Sequence, residues 1–184
     1  IKSYILSSVL TVALFTVAST AKAGDIYLSS TGSDDNDGTT ATTAYATLAK
    51  AVGAAKANDV IHVSGIITVS CPVTLTAKLT FKGSDPTKDG FNGQGSSQIM
   101  TNNTNVSANF SNLLFENGSA TSNGGALSFV GGIFTIDNCA FKDNQVSTTA
   151  AAYGGAIFVQ NATMTITNSS FEGNKGYYGG AMTA

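Results

Sequence analysis

The chain has 184 residues, enough for one domain or one stretch of a larger repeat array. Only 11% of residues are charged against 42% hydrophobic, which excludes a coiled coil or a charged disordered tail, and two cysteines exclude a disulfide-dense scaffold. The net charge is −2 and all nine basic residues are lysine, so a basic nucleic-acid-binding face with arginine forks is excluded too.

Residues 1–23 read as an export signal. Lys2 is the positive start, residues 5–18 are an apolar run, and Ala21-Lys22-Ala23 is a small-residue cleavage site. The run is shorter than the ~20 apolar residues a membrane-spanning helix needs. Cleavage leaves seven lysines against eleven acids, a net charge of −4. The first residue is Ile rather than Met, and the chain stops two residues after Met182 in mid-repeat, so it is expected to be the N-terminal piece of a longer protein. No later stretch predicts a transmembrane helix.

Residues 24–59 predict a strand, a loop and a helix that together cap the strands C-terminal to them. Asp25-Ile26-Tyr27-Leu28-Ser29 alternates like a strand. Residues 33–39 form a polar turn, within which Asp35 and Asp37 are weak calcium candidates. The loop lacks the spacing of an EF-hand, and an Asp/Asn-capped turn is the competing reading. No other cofactor is indicated. Tyr45, Leu48, Val52 and Ala55 recur at helical spacing, so a helix over 45–57 is expected, with Thr43 as its N-cap and its apolar stripe over the open end of the first rung.

Residues 60–184 carry an internal repeat. Gly124-Gly125-Ala126-Leu127 returns as Gly154-Gly155-Ala156-Ile157 and as Gly179-Gly180-Ala181-Met182. The run from Ile136 through Asn138, Phe141 and Asn144 returns as Ile166, Asn168, Phe171 and Asn174. An earlier relative runs from Phe110 to Gly118, with Gly118 where the later copies have asparagine. Overlaying copies sorts the side chains. Leu127/Ile157, Phe129/Val159, Phe134/Met164, Ile136/Ile166 and Phe141/Phe171 stay apolar and are expected inside. Ser128/Phe158 and Thr135/Thr165 are expected outside. Such a unit offers three short strands and cannot bury its apolar face alone; stacking like on like does so. The expected fold is therefore all-β, a right-handed parallel β-helix (solenoid) with an N-terminal capping helix. Asn112, Asn138 and Asn168 would form one corner ladder in left-handed backbone, and the glycine pairs would form another tight corner.

The GGA-[LIM] and Phe-x-x-Asn motifs over residues 110–184 resemble the repeat of chlamydial-type polymorphic outer membrane proteins, surface-exposed β-helical autotransporter passengers implicated in adhesion. The segment from Ile26 through the predicted helix resembles the leading segment of bacterial β-helix proteins, which is shared with polysaccharide lyases. The resemblance implies a secreted or outer-membrane-surface protein that binds a surface protein or a glycan. The runner-up is a carbohydrate-active lyase or hydrolase whose site lies beyond residue 184.

Few residues suggest chemistry. His62, with Asp59 nearby, is the single histidine and is expected to point outward. Lys142 should lie over Glu172, and the acids at Asp137 and Asp143 are not repeated in the next copy, so no catalytic residue is assigned. Cys71 and Cys139 are too far apart along the stack to pair, and Cys139 fills an inward slot. Tyr153, Tyr177 and Tyr178 precede the later glycine pairs and suit sugar stacking, protein contact or packing against a loop. The six Asn-x-Ser/Thr sites, at Asn102, Asn105, Asn109, Asn117, Asn161 and Asn168, follow from composition alone.

Overall fold

A computed structural model describes residues 23–102, 105–146 and 151–184; all but the last residue of the predicted export signal lies outside them. The chain winds as a parallel β-solenoid with three sheets along its length. The first sheet stacks Asp25–Ser29, Val60–Ser64, Leu79–Lys82, Ala108–Ser111, Ile133–Asp137 and Thr163–Thr167. The second stacks Ile66–Thr68, Gly90–Asn92, Leu114–Glu116, Ala140–Lys142 and Ser170–Glu172. The third stacks Val73–Thr74, Met100–Thr101, Leu127–Val130, Ile157–Gln160 and Met182–Thr183. Every pairing is parallel and joins neighbouring coils. A fourth ladder, Ser119–Ala120 on Gln145–Val146, fills the corner between the second and third sheets. The expected three-strand unit lacked it, because residues 119–120 and 145–146 are too few to show a period.

Like stacks on like. Leu127 pairs with Ile157, Phe134 with Met164, Ile136 with Ile166 and Phe141 with Phe171, as the repeat overlay requires. Inside the second sheet Phe91, Phe115, Phe141 and Phe171 form a continuous column, with ring centroids 5.5, 4.8 and 4.9 Å apart. The Phe115–Phe141 and Phe141–Phe171 rings lie within 7° of parallel. Inside the first sheet Phe81 stacks on Phe110 at 5.2 Å, and Phe110 faces Phe129 of the third sheet across the interior at 6.2 Å. Leu127, Phe129, Phe134, Ile136, Phe141, Ile157 and Val159 are buried. Met164, Ile166 and Phe171, expected to be buried as well, are only half-buried. Their strands are the edges of their sheets among the described residues, so one face of each side chain lacks a neighbour.

The Phe-x-x-Asn motif works as a clamp between coils. Asn144 is fully buried; its Oδ1 accepts from Gly118 N at 2.8 Å and its Nδ2 donates to Phe115 O at 2.9 Å. One coil on, Asn174 repeats both bonds: Oδ1 accepts from Asn144 N at 3.0 Å and Nδ2 donates to Phe141 O at 2.9 Å. Each asparagine thus satisfies one amide of its neighbouring corner or coil and adds a bond to the carbonyl of a strand phenylalanine one coil back. The expected ladder of Asn112, Asn138 and Asn168 forms only in part. All three adopt left-handed backbone, with φ of 57°, 49° and 51°. Asn138 Nδ2 donates to Asn112 Oδ1 at 2.8 Å, but Asn168 turns to Asp137 Oδ1 at 2.8 Å, where the carboxylate is the stronger acceptor. Asn138 and Asn168 are also exposed rather than buried, so the buried asparagine corner is the one at Asn144.

The glycine pairs divide two tasks. Gly124, Gly154 and Gly179 hold φ of 63°, 65° and 66°. At Gly125 and Gly155, a Cβ would run into the carbonyl oxygen of the next coil's glycine, Gly155 and Gly180.

The helix spans Leu48–Ala54, shorter than the expected 45–57, and its N-cap is Thr47, whose side chain accepts from Lys50 N. The expected cap, Thr43, ends a short 3-10 turn, Ala41–Thr43, capped by Thr40. Tyr45 belongs to neither: it bridges Leu28 in parallel and is buried. Leu48, Ala51 and Val52 face the core, and the helix packs on Asp25–Ser29 and Val73–Thr74, the N-terminal edge strands of the first and third sheets. It therefore covers the end of the apolar interior that, among the described residues, no earlier coil covers. Asp25–Ser29 is itself the first strand of the first sheet, so the N-terminal segment and the repeats share one sheet.

Candidate functional site

Two of the concavities formed by the described residues bring exposed aromatic or ionisable side chains together on the outer face. The first, about 390 Å³, sits at the N-terminal end of the first sheet beside Tyr27, His62, Lys82 and Ser84. His62 points outward, as expected, but its partner is not Asp59. Asp59 is buried and accepts from Gly24 N at 2.7 Å and Lys56 N at 2.8 Å. His62 Nε2 instead lies 2.7 Å from Asp25 Oδ1, and its ring stacks on Tyr27 at 4.9 Å. The pair joins residues 37 apart in sequence that parallel pairing makes neighbours. Asp89, also on this groove, is committed to structure. Burial raises its pKa, but hydrogen bonds from the Ser84 hydroxyl and from the amides of Gly65 and Ser84 outweigh that and hold it below the ordinary carboxylate range.

The second concavity, about 520 Å³, lies on the third sheet beside its last glycine corners. Its walls are Tyr153 and Phe158, with Asn123, Gln160, Asn161 and Thr183 around them. Strand Ile157–Gln160 turns Ile157 and Val159 inward, which leaves Phe158 on the outer face in the column Thr101, Ser128, Phe158, Thr183. Tyr153 bridges Tyr178 one coil on, just before each glycine pair. The two rings stack at 5.2 Å and 22°, and Tyr177 meets Tyr178 edge-on at 4.7 Å and 76°. All three are exposed, Tyr153 at 37%, Tyr178 at 49% and Tyr177 at 54%. Phe158, noted in the sequence only as outward, is the groove residue that sequence reasoning missed. Its ring lies 6.3 Å from Tyr153, and only the pairing of the two corners shows that they meet.

Of the two calcium candidates, Asp37 has its carboxylate hydrogen-bonded within the turn and Asp35 only its backbone amide. Asp37 Oδ1 accepts from Thr39 N, the Thr39 hydroxyl and the Thr43 hydroxyl at 3.0, 2.9 and 2.7 Å. The hydrogen bond from Thr39 N leads the lowering of its pKa. Asp35 donates its amide to Ser33 Oγ at 3.3 Å. Asp34 anchors the helix start, accepting from Ala46 N and Thr47 N at 2.9 Å and from the Thr47 hydroxyl at 2.7 Å. Among the described residues, no three His, Cys, Asp or Glu side chains group as metal ligands.

The remaining polar side chains of the repeats lie in columns. Lys142 is opposite both Glu116 and Glu172, with no ion pair within 4 Å among the described residues. The Thr135 hydroxyl donates to Asn109 Oδ1 at 2.6 Å, and the Thr167 hydroxyl to Asp137 Oδ1 at 2.6 Å. Cys71 and Cys139 are free thiols, the first exposed and the second buried. Among the described residues no helix is long and apolar enough to cross a membrane. No protein-family model matches the chain, and no curated protein or solved structure shows significant similarity to it.

Proposed function

We propose that the chain is the β-helical binding part of an exported cell-surface protein, an adhesin-like passenger or stalk that holds a ligand without turning it over. The observation that carries this reading is the cluster of exposed Tyr153, Tyr177 and Tyr178 with half-buried Phe158 on one lateral face. Exposed aromatics with polar tips supply large contact area at small entropic cost, which is why they concentrate at binding surfaces. A stacked solenoid is stiff and presents that face at a fixed place along its length. The export signal and the resemblance of the GGA-[LIM] and Phe-x-x-Asn motifs to polymorphic outer membrane proteins support the extracellular address. Nucleic acid is not a partner in this reading, since the chain has no arginine and a negative net charge.

The test is adhesion. Beads carrying the chain should attach to cell surfaces, and the double substitution Tyr153→Ser/Tyr178→Ser should remove most of that attachment. Tyr27→Ser, in the other groove, should leave it intact. Attachment equal in all three proteins would refute the role of this face.

A further inference from the structure

We propose that the groove beside Tyr27, His62 and Lys82 binds a small aromatic carboxylate, a flat ring bearing one acid group. The inference goes beyond the surface-binding role and does not rest on it. The groove is built by successive coils between residues 27 and 89, on the outer face of the first sheet. The free edge of Asp25–Ser29 beside it is already taken: Tyr45 N donates to Tyr27 O and Ser29 N donates to Tyr45 O, both at 2.9 Å. The chain itself therefore bounds the groove, with Ala41 and Ala44 on one side and the corner at Gly83 and Ser84 on the other. Its volume, about 390 Å³, is near the low end of the roughly 300–1,000 Å³ of small-ligand sites and suits a single ring with a short tail.

Parallel pairing sets Tyr27, His62 and Lys82 side by side on successive strands. The Tyr27 and His62 rings stack at 4.9 Å and 18°, and Asp25 Oδ1 holds His62 at Nε2, so the aromatic surface is in place before a ligand arrives. Next to it Lys82 is exposed, and its ammonium makes no ion pair or hydrogen bond to another described residue. An ammonium without a partner beside aromatic faces matches a ring that carries a carboxylate. The other polar groups are mostly spent, which selects against a sugar acid. Asp89 is buried and accepts from Gly65 N, Ser84 N and the Ser84 hydroxyl at 2.8, 2.7 and 2.6 Å, so its carboxylate does not take Lys82. That bond uses the Ser84 hydroxyl, and the Ser29 hydroxyl is engaged with Thr31 at 3.2 Å. The Ser64 and Tyr27 hydroxyls remain. A pyranuronate brings several hydroxyls that each need a partner, and two are too few for it. The methyl groups of Ala41 and Ala44 suit the apolar edge of an aromatic ring instead.

Titration calorimetry of the full chain with 4-hydroxybenzoate, 4-hydroxycinnamate, their uncharged amides and glucuronate tests this. At least one aromatic acid should bind saturably, about tenfold or more tighter than its amide and than glucuronate, and more weakly as salt rises. Lys82→Met, at an exposed position, should bring the acid down to the affinity of the amide with unchanged circular dichroism. Tyr27→Ser should weaken acid and amide alike by about tenfold, and Tyr27→Phe should restore the stacking and most of the affinity. Tyr153→Ser should leave acid binding unchanged, and Lys82→Met should leave bead attachment unchanged, so the two sites succeed or fail separately. No binding of either acid, equal binding of acid and amide, tighter binding of glucuronate, or acid binding indifferent to Lys82→Met overturns the inference.

Discussion

Asn144→Ala isolates what the Phe-x-x-Asn motif contributes. The substitution leaves the buried Gly118 N–H without the partner that Asn144 supplies at 2.8 Å, and removes a 2.9 Å bond from the buried Phe115 carbonyl, which lies in the ladder with Ala140–Lys142. An orphaned buried group costs about 1–3 kcal/mol and a lost bond to a carbonyl that keeps a partner about 0.5–1.5 kcal/mol, so together they should cost about 1.5–4.5 kcal/mol. The third bond, from Nδ2 to Asn174 Oδ1, adds little, because that oxygen keeps the Asn144 backbone amide. Alanine is tolerated by the backbone here, since Asn144 is not among the positive-φ residues. Asn138→Gly is the matched control. Asn138 is exposed, has φ of 49° and donates one side-chain bond, to Asn112. Glycine keeps that backbone freely and should cost under about 1 kcal/mol. Urea unfolding followed by far-ultraviolet circular dichroism compares the two. If Asn144→Ala loses no more stability than Asn138→Gly, the clamp is not what holds neighbouring corners together.

The same measurement separates Phe141→Ala, which removes a fully buried ring from the middle of the second sheet's column and should cost about 3–5 kcal/mol, from Phe158→Ala, which should cost far less; equal losses would overturn the inward and outward assignment. Cys139 is buried, which pushes its thiol up to about 11, so iodoacetamide at pH 8 should label Cys71 alone in the folded chain, and simultaneous labelling of both would contradict its burial. Burial raises Asp34 and Asp89, yet their hydrogen bonds (led by the side chains of Thr47 and Ser84) hold both below the unfolded value near 3.9. The stability they contribute is therefore present above about pH 4 and lost as pH falls through their folded values. Asp89→Asn should flatten that acid limb, and an unchanged limb would refute the assignment.

The C-terminal half of the fold was readable because two copies with matching motifs show which positions hold their polarity. Upstream of Phe110 that signal fades. The inward column Ile61, Phe81, Phe110, Ile136, Ile166 advances by 20, 29, 26 and 30 residues, so loop length hides the period. The strands Val73–Thr74 and Met100–Thr101 are too short to alternate. The helix was overextended because Tyr45 is apolar at helical spacing for another reason: it bridges Leu28, with its ring packed where a Cβ on Gly38 would stand. The His62–Asp25 pair and the Tyr153–Phe158 wedge depend on register between coils, which proximity in sequence does not reveal. Asn168 left its ladder because Asp137, a coil away, offers a charge.

Binding without turnover at the aromatic face is the central claim, and the ligand recovered after binding tests it most directly. Pectin, alginate, glycosaminoglycans and neutral glycans incubated with the chain, with and without calcium, should come back with no new reducing or unsaturated ends. Those that bind should be retained on the unaltered chain and released from Tyr153→Ser. New ends that disappear with Asp143→Ala or Glu172→Ala would contradict the claim and make the chain a carbohydrate-active enzyme.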